Sequence, residues 1–106
     1  MKLLFICNQS MYRSRTAEDL FKDKHETQSA GIYSYRNQLT KEKLDWADLV
    51  IVMEDHQRKF IGENFPKQYL NKKIICLDIK DIYNYDEPKL IKLLKEKIFK
   101  EQIKKS

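Results

Sequence analysis

Apolar positions fall in blocks along this chain. Residues 2–7 (Lys-Leu-Leu-Phe-Ile-Cys) form a continuous apolar run of strand length, and 48–53 (Asp-Leu-Val-Ile-Val-Met) and 73–78 (Lys-Ile-Ile-Cys-Leu-Asp) repeat the pattern. Runs of this kind fit strands buried on both faces. Residues 26–30 predict a weaker strand ending at Gly31. Between the runs the spacing turns helical. Residues 14–24 carry Ala17, Leu20 and Phe21 on one face, and Thr40 is placed to cap a helix containing Leu44 and Trp46. Residues 55–64 read as a helix, with Pro66 marking a break. Asp86 is expected to cap a last helix with Pro88 in its first turn. In that helix Leu90, Leu94 and Ile98 recur every four residues, and Ile91, Phe99 and Ile103 widen the apolar face.

Strands alternating with helices predict an α/β fold: a three-layer α/β/α sandwich around a central four-stranded parallel sheet. The 106 residues are expected to make one domain, 1–106. In such sheets ligands bind outside the carboxyl ends of the strands. Cys7 ends the first predicted strand, and Asp78 and Asp81 lie at the carboxyl end of the last, so a thiol and carboxylates share one rim.

Composition narrows the picture. A charged fraction of 35% and the lack of any apolar run near the roughly 20 residues of a bilayer span argue against a membrane protein. The run at the amino terminus gives way at once to polar Asn8, Gln9 and Ser10, unlike a signal peptide, so a cytoplasmic protein is expected. Formal net charge is +5, with excess lysine after Pro88 (Lys89, Lys92, Lys95, Lys97, Lys100, Lys104, Lys105). No nucleic-acid motif accompanies it; a solvated helix face accounts for the charge, and nucleic acid is not an expected partner. Cys7 and Cys76 form neither a disulfide framework nor a C-x-x-C metal pair, and Cys76 reads as a buried small hydrophobe. His25 and His56 lack ligand spacing and read as surface histidines, and Trp46 as core.

Cys7 differs from Cys76 in its downstream neighbours. Five residues separate it from Arg13, Ser14 comes next, and the segment joins a buried strand to a helix. A short loop there curls around a tetrahedral anion with its backbone N–H groups inward. The helix after the loop adds its positive end, and arginine grips two phosphate oxygens as a planar fork. Asn8, Gln9, Ser10, Met11, Tyr12, Arg13 and Ser14 are therefore the candidate phosphate-binding residues, with Cys7 beneath the anion for in-line attack. Ser14 is placed to support a sulfur anion. No metal or cofactor is required, because Arg13 and the amides hold the negative charge. The leaving oxygen needs a proton. Asp81, in the loop beyond the last strand, is the favoured acid, with Asp78 second and Asp86 set aside as a cap. Tyr83 and Tyr85 are candidates for an aromatic substrate wall; Tyr33 and Tyr35 are also near the rim.

Together these residues resemble the low-molecular-weight protein tyrosine phosphatases. The resemblance rests on Cys7 to Arg13-Ser14 with Thr16-Ala17-Glu18 after them, on Ser29-Ala30-Gly31, on Gln38-Leu39-Thr40-Lys41, on Ala47 to Met53, and on Asp78-Ile79-Lys80-Asp81-Ile82-Tyr83. It implies a flavodoxin-like phosphotyrosine phosphatase fold, a phosphocysteine intermediate on Cys7, Asp81 as acid and then base, and Ser29 as a residue that steadies the loop. It implies phosphotyrosyl protein or a small aryl phosphate as substrate, with phosphate or sulfate able to occupy the same loop.

The chain also departs from the family pattern. Ser10 stands where many members carry asparagine, Tyr12 where many carry a second cysteine, and Ile82 where a proline is common. The segment between Gly31 and Gln38 is shorter than usual, which marks a minimal branch with a more open site. Two other readings use the same loop: a thiol-coupled arsenate reductase, for which only Cys76 is available as a relay, and a phosphate- or phosphopeptide-binding module without turnover.

Overall fold

The computed structural model describes residues 1–105, with side-chain surroundings given through Ile98. Four strands, β1 (Lys2–Cys7), β2 (Glu26–Gly31), β3 (Leu49–Val52) and β4 (Ile74–Cys76), pair in parallel in the order β2-β1-β3-β4. Parallel pairing requires crossovers, and helices supply them: α1 (Arg13–Phe21), α2 (Lys41–Trp46), α3 (Asp55–Asn64) and α4 (Pro66–Asn71), with α5 (Pro88–Lys105) after β4.

The continuous apolar runs resolve into two faces at strand period. Leu3, Phe5 and Cys7 of β1 share one side with Leu49, Ile51 and Ile75, and Ala17 of α1 and Leu90, Leu94 and Ile98 of α5 cover them. Leu4 and Ile6 share the other with Val50, Val52, Ile74 and Cys76, beneath Leu44 of α2 and Ile61 of α3. Strands buried on both sides need apolar residues at successive positions, which is why β1, β3 and β4 do not alternate in sequence, while edge strand β2 keeps polar residues in its first half. The result is the expected three-layer α/β/α arrangement.

Several boundaries differ from the sequence expectation. α1 ends at Phe21, because the backbone turns at Lys24 and His25, whose N–H groups both donate to the Phe21 carbonyl. Pro66 opens α4 after a one-residue break, since a proline lacking its N–H fits a first helical position. Thr40 caps α2 as expected, its Oγ1 accepting from the Lys43 N–H at 3.2 Å. Asp86 does not occupy the cap position of α5, which begins at Pro88 directly after Glu87; its backbone is left-handed (φ 59°) and its N–H donates to Thr16 Oγ1. Trp46 is half-buried against the Leu4 face, beneath the Lys2 ammonium. The side chains of Phe99 and Ile103, and those of Lys100, Lys104 and Lys105, lie outside the described residues. No helix among the described residues is long and apolar enough to cross a membrane.

Candidate functional site

β1 is an inner strand, so its carboxyl end, at Cys7, lies mid-rim between β2 and β3. The chain then bends through 8–12 into α1. Gly31, the last residue of β2, makes that bend possible: a Cβ there would stand 2.7 Å from Asn8 O and 2.8 Å from Ser10 N. The loop is tied to the segment after β2 by two backbone bonds, Ile32 N–H to Cys7 O at 3.0 Å and Tyr33 N–H to Asn8 O at 2.8 Å.

At the centre of the loop the Ser10 N–H points at Cys7 Sγ (3.1 Å), and Ser14 Oγ lies 3.0 Å from the same sulfur. A thiolate only accepts, so beside one the single Ser14 hydroxyl proton turns to sulfur in preference to Ser10 Oγ, 3.4 Å away. Ser10 holds a left-handed backbone (φ 57°). For a residue with a Cβ this costs about 1–2 kcal/mol. A chain of hydrogen bonds offsets it. Asn37 Nδ2 donates to Ser10 Oγ (2.9 Å) and Ser29 O (2.7 Å), Ser10 Oγ donates to Ser29 Oγ (3.3 Å), and Ser29 Oγ donates to Glu18 Oε1 (2.7 Å). Lys43 fixes the sense of the Asn37 amide: its ammonium must find acceptors, so Oδ1 faces Lys43 and the NH2 group faces the loop. Burial pushes the Lys43 ammonium below its usual range, and the nearby Glu18 carboxylate partly restores it.

Arg13 opens α1 and is almost wholly buried, at 1% exposure. Its Nη1 donates to Glu54 Oε1 at 2.5 Å and to Ile79 O at 2.7 Å, and its Nε stands 3.7 Å from Asp81 Oδ1. Glu54 thus compensates a charge whose burial alone would be costly, and Asp81 stands at the exposed side of the same guanidinium. No side chain caps α1, so its first-turn N–H groups keep free capacity for an anion. Cys7, Gln9, Met11, Tyr12, Arg13 and Asp81 enclose a cavity of about 70 Å³.

Other candidates fall elsewhere. Asp78 is exposed, and its backbone carbonyl accepts from Lys97 Nζ at 3.1 Å; it does not line the cavity. Tyr83 packs against the core under α5 rather than forming a wall. The Tyr85 hydroxyl donates to Asp19, whose carboxylate holds the phenol above its usual range; this turns the side chain towards α1 and away from the cavity. The apolar rim consists instead of Met11 and Tyr12, both exposed. Asn8 does not face the cavity with its side chain. Its Oδ1 lies 2.6 Å from His56 Nε2 and accepts from Gln57 Nε2 at 3.0 Å.

Glu54, Gln57 and Asn37 are not among the candidates that sequence reasoning finds. Gln57 is buried, and its Oε1 accepts from the Met53 and Glu54 N–H groups at 2.8 and 2.9 Å while its NH2 holds Asn8. One amide therefore links the loop to the turn that presents Glu54. The pattern Glu54-Asp55-His56-Gln57 at the end of a buried strand is a capping-box signature on the ligand rim, a signal that points to both Glu54 and Gln57. Asn37 has no comparable signature. Among the described residues no group of three or more His, Cys, Asp or Glu side chains is placed to hold a metal ion.

No family model and no curated protein sequence matches the chain. Solved structures match it throughout. The YwlE arginine phosphatase from Geobacillus stearothermophilus is 25% identical over 97% of this chain and 96% of its own, with a TM-score of 0.65. The tyrosine phosphatase Wzb from Escherichia coli K30, in complex with phosphate, is 20% identical over 97% and 96%, with a TM-score of 0.78. A low-molecular-weight protein tyrosine phosphatase from Bacillus subtilis is 23% identical over 100% and 99%, with a TM-score of 0.74. Along nearly its whole length the chain has the fold of a low-molecular-weight protein tyrosine phosphatase.

Proposed function

We propose that residues 1–106 act as one domain that hydrolyses phosphomonoesters, phosphotyrosine or a related aryl phosphate, through a phosphocysteine intermediate. The observation that carries this reading is a sulfur at 3.1 Å from a loop N–H and 3.0 Å from a serine hydroxyl, in one small cavity with a buried arginine and a loop carboxylate. The phosphoryl group sits in that cavity, its oxygens held by the loop amides and Arg13. The Cys7 thiolate attacks phosphorus in line as the P–O bond to the aryl group breaks. Asp81 gives its proton to the departing oxygen. Water then attacks phosphorus, the S–P bond breaks, Asp81 takes the proton from water, and inorganic phosphate leaves with the thiolate restored.

Solved neighbours support phosphatase chemistry and differ in substrate: Wzb is a tyrosine phosphatase and YwlE an arginine phosphatase. For this chain the Met11 and Tyr12 rim offers apolar contact to a flat aryl ring, which supports an aryl phosphate. An arsenate reductase with an internal thiol relay is disfavoured, because Cys7 and Cys76 lie on opposite faces of the sheet.

The test is hydrolysis of aryl phosphates by reduced protein, with phosphoarginine in parallel. Wild type is expected to turn over p-nitrophenyl phosphate and to be inhibited by vanadate, and Cys7→Ser to be inactive. Asp81→Asn is expected to lose about 10²–10⁴ in kcat on phenyl phosphate and much less on p-nitrophenyl phosphate, whose better leaving group has little need of an acid. Absence of turnover by wild type on every ester sinks the reading; faster turnover of phosphoarginine moves the substrate class and leaves the chemistry.

A further inference from the structure

The Cys7 cavity, about 70 Å³, holds little more than a phosphoryl group. Beside it lies a second cavity of about 430 Å³, and the two share Gln9 and Met11 in their lining. That volume falls in the range of ligand-binding clefts. Its charged lining residues are Arg15 and Arg36, with no carboxylate among them. The two guanidiniums differ in how far they are paired among the described residues. Arg15 has one ion pair, an exposed i,i+3 contact with Glu18 at 3.8 Å, and that Glu18 oxygen is already accepting from Ser29. Such contacts contribute little. Arg36 is exposed and has no ion-pair partner among the described residues. Tyr35 also lines the cavity and is 99% exposed, so its ring has room to cover a ligand.

We infer that this cavity is an anion subsite, and that the substrates are phosphotyrosyl peptides with a carboxylate side chain beside the phosphotyrosine. The inference rests on the phosphatase reading and narrows it. With phosphate over Cys7, a neighbouring glutamate or aspartate reaches past Gln9 and Met11 to the two guanidiniums. Arg15 is one residue from Ser14 and Arg36 one residue from Asn37, so the shortened segment after β2 supplies charge selection in place of a long wall.

The test measures binding and turnover separately. Fluorescent phosphotyrosyl peptides flanked on both sides by glutamate or by alanine are titrated onto Cys7→Ser protein by anisotropy, with unphosphorylated peptides as reference. Glutamate flanks are expected to tighten binding about tenfold, and Arg15→Gln and Arg36→Gln each to remove about threefold of that. Lys67→Gln, an exposed lysine of α4, controls for general attraction by a chain of net charge +5 and is expected to leave the preference intact. Equal binding of the two phosphopeptides overturns the subsite, as does a preference unchanged in both arginine variants or lost equally in Lys67→Gln. Wild-type hydrolysis of p-nitrophenyl phosphate reports on the parent reading. Turnover with equal peptide binding defeats the subsite alone, and intact peptide preference without turnover defeats the phosphatase reading and leaves the subsite as part of a phosphopeptide-binding site.

Discussion

Ser10 shows how a single residue is made to fit. Its left-handed backbone would suit glycine or asparagine better, and serine contributes only a hydroxyl to hold it. The missing amide comes from Asn37, twenty-seven positions along the chain, whose NH2 reaches both Ser10 and Ser29. Removing it leaves buried acceptors unpaired, at about 1–3 kcal/mol. Asn37→Ala is therefore expected to weaken competitive inhibition by phosphate about tenfold, with a smaller loss of kcat, since the sulfur and Asp81 are untouched. An unchanged phosphate inhibition constant would show that Ser10 holds the loop without help. Residues of this kind are the hard part to read from sequence. Cys7, Arg13 and Ser14 announce themselves by spacing, because one short loop must carry all three. Asn37, Gln57 and Glu54 act across elements, and nothing local marks them except the capping pattern that begins at Glu54.

At the scale of elements, the turn from β1 into α1 depends on what β2 leaves out. A methyl group at Gly31 would meet loop backbone at 2.7–2.8 Å, closer than real Cβ atoms come. Gly31→Ala is expected to cost about 1–3 kcal/mol as an overpacked site and to take phosphate binding with it. Gly62 makes the matched comparison. It lies inside α3, where a Cβ would rest in ordinary contact with the Tyr69 ring at 3.5 Å. Gly62→Ala is expected to raise stability by about 0.5–1 kcal/mol, the helix-propensity difference, without altering turnover. Urea unfolding of the two variants checks both signs. The positions of β1, β3 and β4 are legible because burial leaves them almost wholly apolar, whereas edge strand β2, with Glu26, Thr27, Gln28 and Ser29, reads weakly. The aromatic wall is not legible: proximity in sequence puts Tyr83 and Tyr85 beside Asp81, but the core takes one ring and Asp19 the other hydroxyl.

For the whole molecule, the decisive fact is which thiol faces which layer. Cys7 belongs to the α1 and α5 side and Cys76 to the α2 and α3 side, with β3 between their strands. Two strand spacings separate them by about 10 Å, beyond the reach of a disulfide. Tyr12 leaves the loop without a second thiol of its own, so Cys76 is the one other sulfur nucleophile in the chain. Peroxide is therefore expected to inactivate wild type and Cys76→Ser at the same rate, with no internal disulfide detected by mass spectrometry. Slower inactivation of wild type than of Cys76→Ser would contradict this placement.

The direction of β1 settles one practical matter. Met1 precedes a strand of six residues that ends at Cys7, so the first residue lies about 20 Å below the rim, on the floor of the sheet. A tether, affinity tag or fused partner joined there hangs from the underside, and a surface-immobilised sample presents its sulfur outward to whatever flows past.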